Sequence, residues 1–312
     1  MMKLAAAAIT LLLGGCTGEP ATPRPQDQPR TTMSPTNDFT LVYSERRGPE
    51  LGEGLREYEN RIRIDGMSST ASLSSCRASS DDQGLPIGSF SMTLDSHELT
   101  NLFQNATGIN LGNLPPPRGG AVGASLIELQ FQSGSTSWRK SINSHDRTTL
   151  SHFRALFDPL NRIHGRLYSH PTEALRVSLR RDTNGFLVVL ENIGRTDLAV
   201  LDPRPLGATH LDAWAGMLVA EFPPVTPGIT PAPLRWKQVA LEVPSHDSAI
   251  PRRSSVLAAS ETMAWRVQRW TPTAPGRHIA RAVLVDYEGP AAIDGVPRLR
   301  GAVFSEGLEF TP

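Results

Sequence analysis

The stretch EALRVSLRRDTNGFLVVLEN, residues 173–192, decides the fold class. Leu175, Val177 and Leu179 alternate with polar neighbours, which is the period of a half-buried strand. Asp182-Thr183-Asn184-Gly185 supplies turn residues, and Phe186–Glu191 reads as a second, mostly apolar strand. Asn192–Asp197 turns again, and Leu198–Leu201 is a strand that Asp202-Pro203 stops.

Toward the C-terminus, further strands are expected at 210–214, 217–222, 234–243, 262–270, 278–287 and 304–310. Over 278–287, His278, Ala280, Ala282, Leu284 and Asp286 share one face, and Ile279, Arg281, Val283, Val285 and Tyr287 share the other. Short strands punctuated by Gly and Pro predict an all-β sandwich over residues 169–312.

Toward the N-terminus the pattern mixes both periods. Phe39, Leu41 and Tyr43 alternate, and Tyr58–Asp65 carries Ile62 and Ile64 against Arg61 and Arg63. Asp65-Gly66 is a hairpin-turn candidate, with a return strand through Ala71 and Leu73 and a polar loop over 74–88. Asp95 and Glu98 have capping-box spacing ahead of a Leu99, Leu102, Phe103, Ala106 helical stripe. Ile127, Leu129 and Phe131 alternate, Ser133-Gly134-Ser135 turns, and Trp138–Ile142 returns. A second helix starts near Thr148 or Thr149, with Leu150, Phe153, Phe157 and Leu160 on one side and a kink or break expected at Pro159. This order predicts a small α+β domain over residues 39–168, with its helices on one face of an antiparallel sheet.

Residues 16–38 hold a proline-rich segment, TGEPATPRPQDQPRTTMSPTND after the cysteine, which is too polar for a core and reads as a disordered tether. Before it, Lys3 precedes an apolar run from Leu4 to Leu13 that only Thr10 interrupts. Such a run forms an export signal and is too short to span a bilayer. Its ending, Leu13-Gly14-Gly15-Cys16, resembles a bacterial lipobox. The resemblance implies that residues 1–15 are a lipoprotein signal peptide, and that Cys16 is acylated and becomes the N-terminal residue. Membrane lipid is then the first partner. With threonine at position 17, where aspartate marks inner-membrane retention in Gram-negative lipoproteins, the outer membrane is the expected location.

Two further resemblances concern the folded part. Leu190-Glu191-Asn192-Ile193-Gly194 is similar to the L-x-N-x-G turn of envelope Ig-like domains, and 275–282 resembles their late strand. The strand and helix order over Phe39–His164 resembles emfourin-type small domains, associated with metalloprotease inhibition. Arg46-Arg47-Gly48-Pro49 stands where that family carries Gly-Gly-Phe. The fold expected overall is an α+β N-terminal domain followed by an all-β Ig-like β-sandwich.

The chemistry-bearing residues form few patterns. Charge is balanced at 31 basic and 31 acidic residues, which argues against a dedicated nucleic-acid surface. Of two cysteines, acylation takes Cys16 and leaves Cys76 as a buried thiol without an intramolecular disulfide partner. His145, Asp146, His152, His164 and His170 are the densest metal-ligand group, yet they lack ligand spacing, so surface or capping roles are expected and no metal or cofactor site. His97-Glu98 and His246-Asp247 pair a base with a carboxylate, but no Gly-x-Ser-x-Gly elbow accompanies them. Arg46, Arg47, Arg56, Arg61 and Arg63 are interspersed with glutamates and read as a solvated surface. Trp265 is expected in the core; Trp214 and Trp270, at strand ends, are the pair more open to exposure and the basis of a carbohydrate-binding alternative, with core or rim packing the stronger expectation for them too. The function expected is a non-enzymatic envelope lipoprotein with a protein partner. Protease inhibition through the first domain, carbohydrate binding and an unrecognised hydrolase are the alternatives.

Overall fold

Alternating apolar residues set the first strands, as their spacing dictates. The computed structural model describes residues 38–46, 60–76, 84–114, 125–204, 213–222, 235–243, 254–271, 276–287 and 290–310. β1 (Thr40–Arg46) buries Leu41, and β2 (Asn60–Asp65) buries Ile62 and Ile64 while Arg63 faces solvent. β3 (Thr70–Ser75) pairs with β2, Ile62 opposite Leu73 and Ile64 opposite Ala71. Their connection is longer than the expected two-residue turn. It runs over 66–69, with Ser69 at φ 54° and Ser68 N donating to Asp65 Oδ1 at 3.1 Å. β4 (Ile87–Thr93) begins inside the expected polar loop and pairs with β3.

α1 (Ser96–Thr107) starts as its sequence dictates. Glu98 N donates to Asp95 Oδ1 at 2.7 Å and Asp95 N donates to Glu98 Oε2 at 3.4 Å, a complete capping box. Leu99, Leu102 and Ala106 are buried. β5 (Leu126–Ser133) and β6 (Thr136–Asn143) form a hairpin, and α2 (Arg147–His152) and α3 (Arg154–Leu167) follow.

The helix break falls at Phe153, not at the expected Pro159, which lies inside α3. Proline has no N–H for the carbonyl four residues back, that of Ala155. Asn105 of α1 fills the gap, its Nδ2 donating to Ala155 O at 2.9 Å. The proline therefore costs little here, because a neighbouring helix supplies the missing donor. Replacing Asn105 by alanine is expected to cost about 1 kcal/mol, the usual worth of one such bond. Urea unfolding of the full chain checks this, with a lowered midpoint at constant slope as the expected result.

The remaining strands are β7 (Pro171–Asp182), β8 (Gly185–Asn192), β9 (Leu198–Leu201), β10 (Ala213–Glu221), β11 (Arg235–Ala240), β12 (Ser254–Leu257), β13 (Thr262–Arg266), β14 (His278–Asp286), β15 (Ala292–Ile293), β16 (Val296–Pro297), β17 (Gly301–Phe304) and β18 (Leu308–Phe310). The two strands expected at 210–214 and 217–222 are the single strand β10, and the strand expected at 304–310 is divided between β17 and β18.

Together these make a β-rich molecule built on large antiparallel sheets. One sheet has nine strands in the order β13-β8-β7-β4-β3-β2-β1-β5-β6. A second has the order β11-β10-β14-β17, with β18 also on β14. β12 pairs with β9, and β15 with β16.

Two cores result. The first packs α1 and α3 on one face of β1–β6, through Leu41, Ile64, Leu73, Phe90, Leu102, Phe131, Phe153 and Leu160. The second lies between the two sheets, where Val177, Val188 and Leu190 meet Met217, Val219, Ala282 and Val303. The sheet does not break between the two cores. Ile87 and Gly88 of β4 pair with Leu175 and Ala174 of β7, so one ladder belongs to both cores. From Pro35 onward the chain is one compact unit.

The turn after β8 is held from inside. Asn192 is fully buried; its Nδ2 donates to Thr196 O at 2.8 Å and Leu257 O at 2.9 Å, and its Oδ1 accepts from Gly194 N at 3.0 Å. Gly194 lies so close to β7 that a Cβ there would stand 2.7 Å from Thr172 O. The L-x-N-x-G spacing is thus explained by one amide satisfying three backbone groups beside a backbone contact that leaves no room for a side chain.

Candidate functional site

Cys16, the one site residue expected from sequence, lies outside the described residues, as do Arg47, Arg56, His246 and Asp247. The other candidates are placed. Arg46 ends β1, and Arg61 and Arg63 leave β2 away from the helix-covered core. Glu98 is engaged by Asp95 N and by Arg166 Nη2 at 2.7 Å rather than by its neighbour His97. His152 and His170 are exposed, and His164 packs its ring against Tyr168 at 5.2 Å. Among the described residues, no group of three His, Cys, Asp or Glu side chains is placed to hold a metal ion. Cys76 is buried just after β3, and its carbonyl accepts from Ala302 N at 3.0 Å.

The tryptophans decide between the core and the exposed readings. Trp265 is buried, as its alternation with Met263 and Val267 requires, but Trp214 is also buried, at 5 % exposure. Trp270 is partly buried against the second core, 5.5 Å from the His278 ring and 5.9 Å from that of Phe310. The exposed aromatic pair on which the carbohydrate alternative rests is therefore not formed. Trp214 does stand at a strand end, second in β10, and is buried there, opposite Val285 of β14.

One concavity of about 530 Å³ opens between the end of β4 and the end of α3. It is lined by Met92, Thr93, Arg166, Ser169 and His170. All but Met92 are exposed, and Arg166 is spent on Glu98, so the lining presents no unpaired charge aimed inward.

The most distinctive surface is the outer edge of the nine-stranded sheet, β6. Its hairpin is set by Gly134, at φ 53° as the first residue of a two-residue turn. Trp138 fixes the strand from inside. Its indole stacks on Phe131 at 5.8 Å and its Nε1 donates to Ala106 O at 3.2 Å, satisfying one of the last carbonyls of α1. Arg139 pairs opposite Gln130, its Nε hydrogen-bonded to Glu128 Oε1. That bond, helped by Gln130, holds the Glu128 carboxyl below the ordinary glutamate range.

Arg139 is thus ion-paired with Glu128, whereas the Lys140 ammonium has no carboxylate partner among the described residues. β6 itself contains no acid. The sequence showed Trp138–Ile142 as a strand, but which strand ends a sheet depends on pairing, and no local pattern reports that. Compared with protein families, curated proteins and solved structures, the chain matches none.

Proposed function

We propose that this chain is an envelope lipoprotein, acylated at Cys16, whose folded body has a non-catalytic protein-interaction or structural role. The observation that carries the reading is Leu13-Gly14-Gly15-Cys16 at the end of a basic-then-apolar leader. Two or more acyl chains anchor stably, at roughly 0.8 kcal/mol per buried CH₂. Position 17 lacks the aspartate that marks inner-membrane retention in Gram-negative lipoproteins, which favours the outer membrane, and the proline-rich segment behind it spaces the body from the bilayer.

The body reads as an α+β layer over residues 39–168 joined to an Ig-like sandwich over 169–312. Helices on one face of β1–β6 support the first part, and two facing sheets with a shared core support the second. Cross-linking in intact envelopes, followed by capture of the anchored full chain, tests the role. A defined protein recovered with the chain is expected; recovery of none contradicts it.

A second reading is protease inhibition by residues 39–168, as in emfourin-type domains; the observed order β1 to β4, α1, β5, β6, α2 and α3 keeps a helix after each group of strands but has one strand more than the sequence leads one to expect. Titration of the chain into secreted metalloproteases decides that reading, and undiminished activity at micromolar protein ends it.

A further inference from the structure

We propose that β6 is a docking edge for an extended acidic strand of a partner protein, which adds to the nine-stranded sheet beside it. The inference rests on the interaction role proposed above and specifies its partner.

Backbone geometry comes first. Ser133 and Thr136 flank the two-residue turn and form the closing pair of the hairpin. Such a closing pair is hydrogen-bonded, and bonded and non-bonded pairs alternate from there along an antiparallel ladder. Thr136, Trp138, Lys140 and Ile142 therefore direct their main-chain groups to β5. Ser137, Arg139 and Ser141 direct theirs outward, and β6 has no further strand beside it among the described residues. The edge runs eight residues without proline, glycine or an irregularity in its register, and Trp138 pins it to α1. It is a rigid template.

Charge chooses the occupant. Arg139 and Lys140 lie on opposite faces of the edge; Arg139 is already ion-paired with Glu128, so Lys140 is the unpaired charge that an incoming strand meets. A second copy of β6 would bring the same two cations against themselves, and like charges across strands repel. A strand with an acid opposite Lys140 reverses that sign, and a second acid opposite Arg139 meets the guanidinium nitrogens that Glu128 does not hydrogen-bond. Read from its own N-terminus in antiparallel pairing, it carries acid, acid and then an apolar residue opposite Trp138.

A fluorescent peptide, Thr-Val-Ser-Glu-Glu-Val-Thr-Val, is titrated into the full chain and read by anisotropy. Saturable binding is expected, abolished when alternate peptide nitrogens are methylated and weakened about tenfold by Lys140→Glu, because attraction becomes repulsion. The variant is expected to regain binding with Lys-Lys in place of Glu-Glu. That rescue separates lost charge complementarity from a misfolded variant, and the methylated peptide needs no variant at all. No saturable binding, binding indifferent to methylation, or binding by Lys140→Glu equal to that of the natural chain overturns the inference. Envelope capture with the same variant separates the two levels. A partner held equally by both chains overturns docking at β6 and leaves the interaction role standing, whereas no partner on either chain contradicts the role itself.

Discussion

Exported behind an ordinary cleavable signal with Cys16 replaced by serine, the chain is expected to leave the membrane fraction and appear in the soluble envelope fraction. The reason is arithmetic. An acyl chain contributes roughly 0.8 kcal/mol per buried CH₂, and a second chain makes the anchor effectively permanent. Without them little else holds the body. Among the described residues no helix is long and apolar enough to cross a membrane. The segment 17–38 is polar and proline-rich, and the net charge is zero, which gives no general attraction to anionic headgroups. Fractionation with immunodetection reads the change, expected to be nearly complete. Persistence in a form that only detergent extracts contradicts the prediction.

Gly88→Ala is expected to destabilise the body by about 3–5 kcal/mol. Gly88 has φ 135°, a conformation that costs an L-residue on the order of 1–3 kcal/mol by itself. The added Cβ would also stand 2.0 Å from Glu173 O and 2.7 Å from Ala174 Cα, both backbone atoms of β7. Neither atom yields without moving the strand. β4 and β7 must separate, and this is the ladder that belongs to both cores. A loss of that size is a large share of the 5–15 kcal/mol that usually holds a folded body. Urea unfolding followed by tryptophan fluorescence has reporters on both sides, Trp138 in the first core and Trp265 in the second. A midpoint shift worth less than about 0.5 kcal/mol would show that β4 accommodates the methyl group and that the junction is looser than described.

The same junction shows where sequence reading stops. The hairpin of β7 and β8 was legible because Leu175, Val177 and Leu179 alternate and Asp182-Thr183-Asn184-Gly185 turns. Asn184 N donates to Asp182 Oδ1 at 2.8 Å, and Gly185 takes φ 129°. The start of α1 was legible because a capping box is local chemistry. β4 was not, since Gly88-Ser89-Phe90-Ser91 offers one large apolar residue amid small polar ones. Its pairing with β3 and β7, rather than its own propensity, makes it a strand.

Glycine misled again in β10. Gly216 lies between the two expected strands, yet it serves a close approach within one, where a Cβ would stand 2.4 Å from Val239 O. Pro159 misled in the opposite direction, because the donor that makes it tolerable sits on α1. In each case the deciding partner is distant in sequence. The β6 edge belongs to this class too. Arg139 and Lys140 look like ordinary solvated charges until the strand order leaves one side of their strand open.

The proposed acyl anchor on Cys16 is covalent, so mass measures it most directly. Intact-mass and N-terminal peptide analysis of the chain extracted from membranes is expected to show a polypeptide beginning at Cys16 that carries a diacylglyceryl group. An unmodified cysteine within a chain begun at another residue would contradict the anchor and the envelope role built on it.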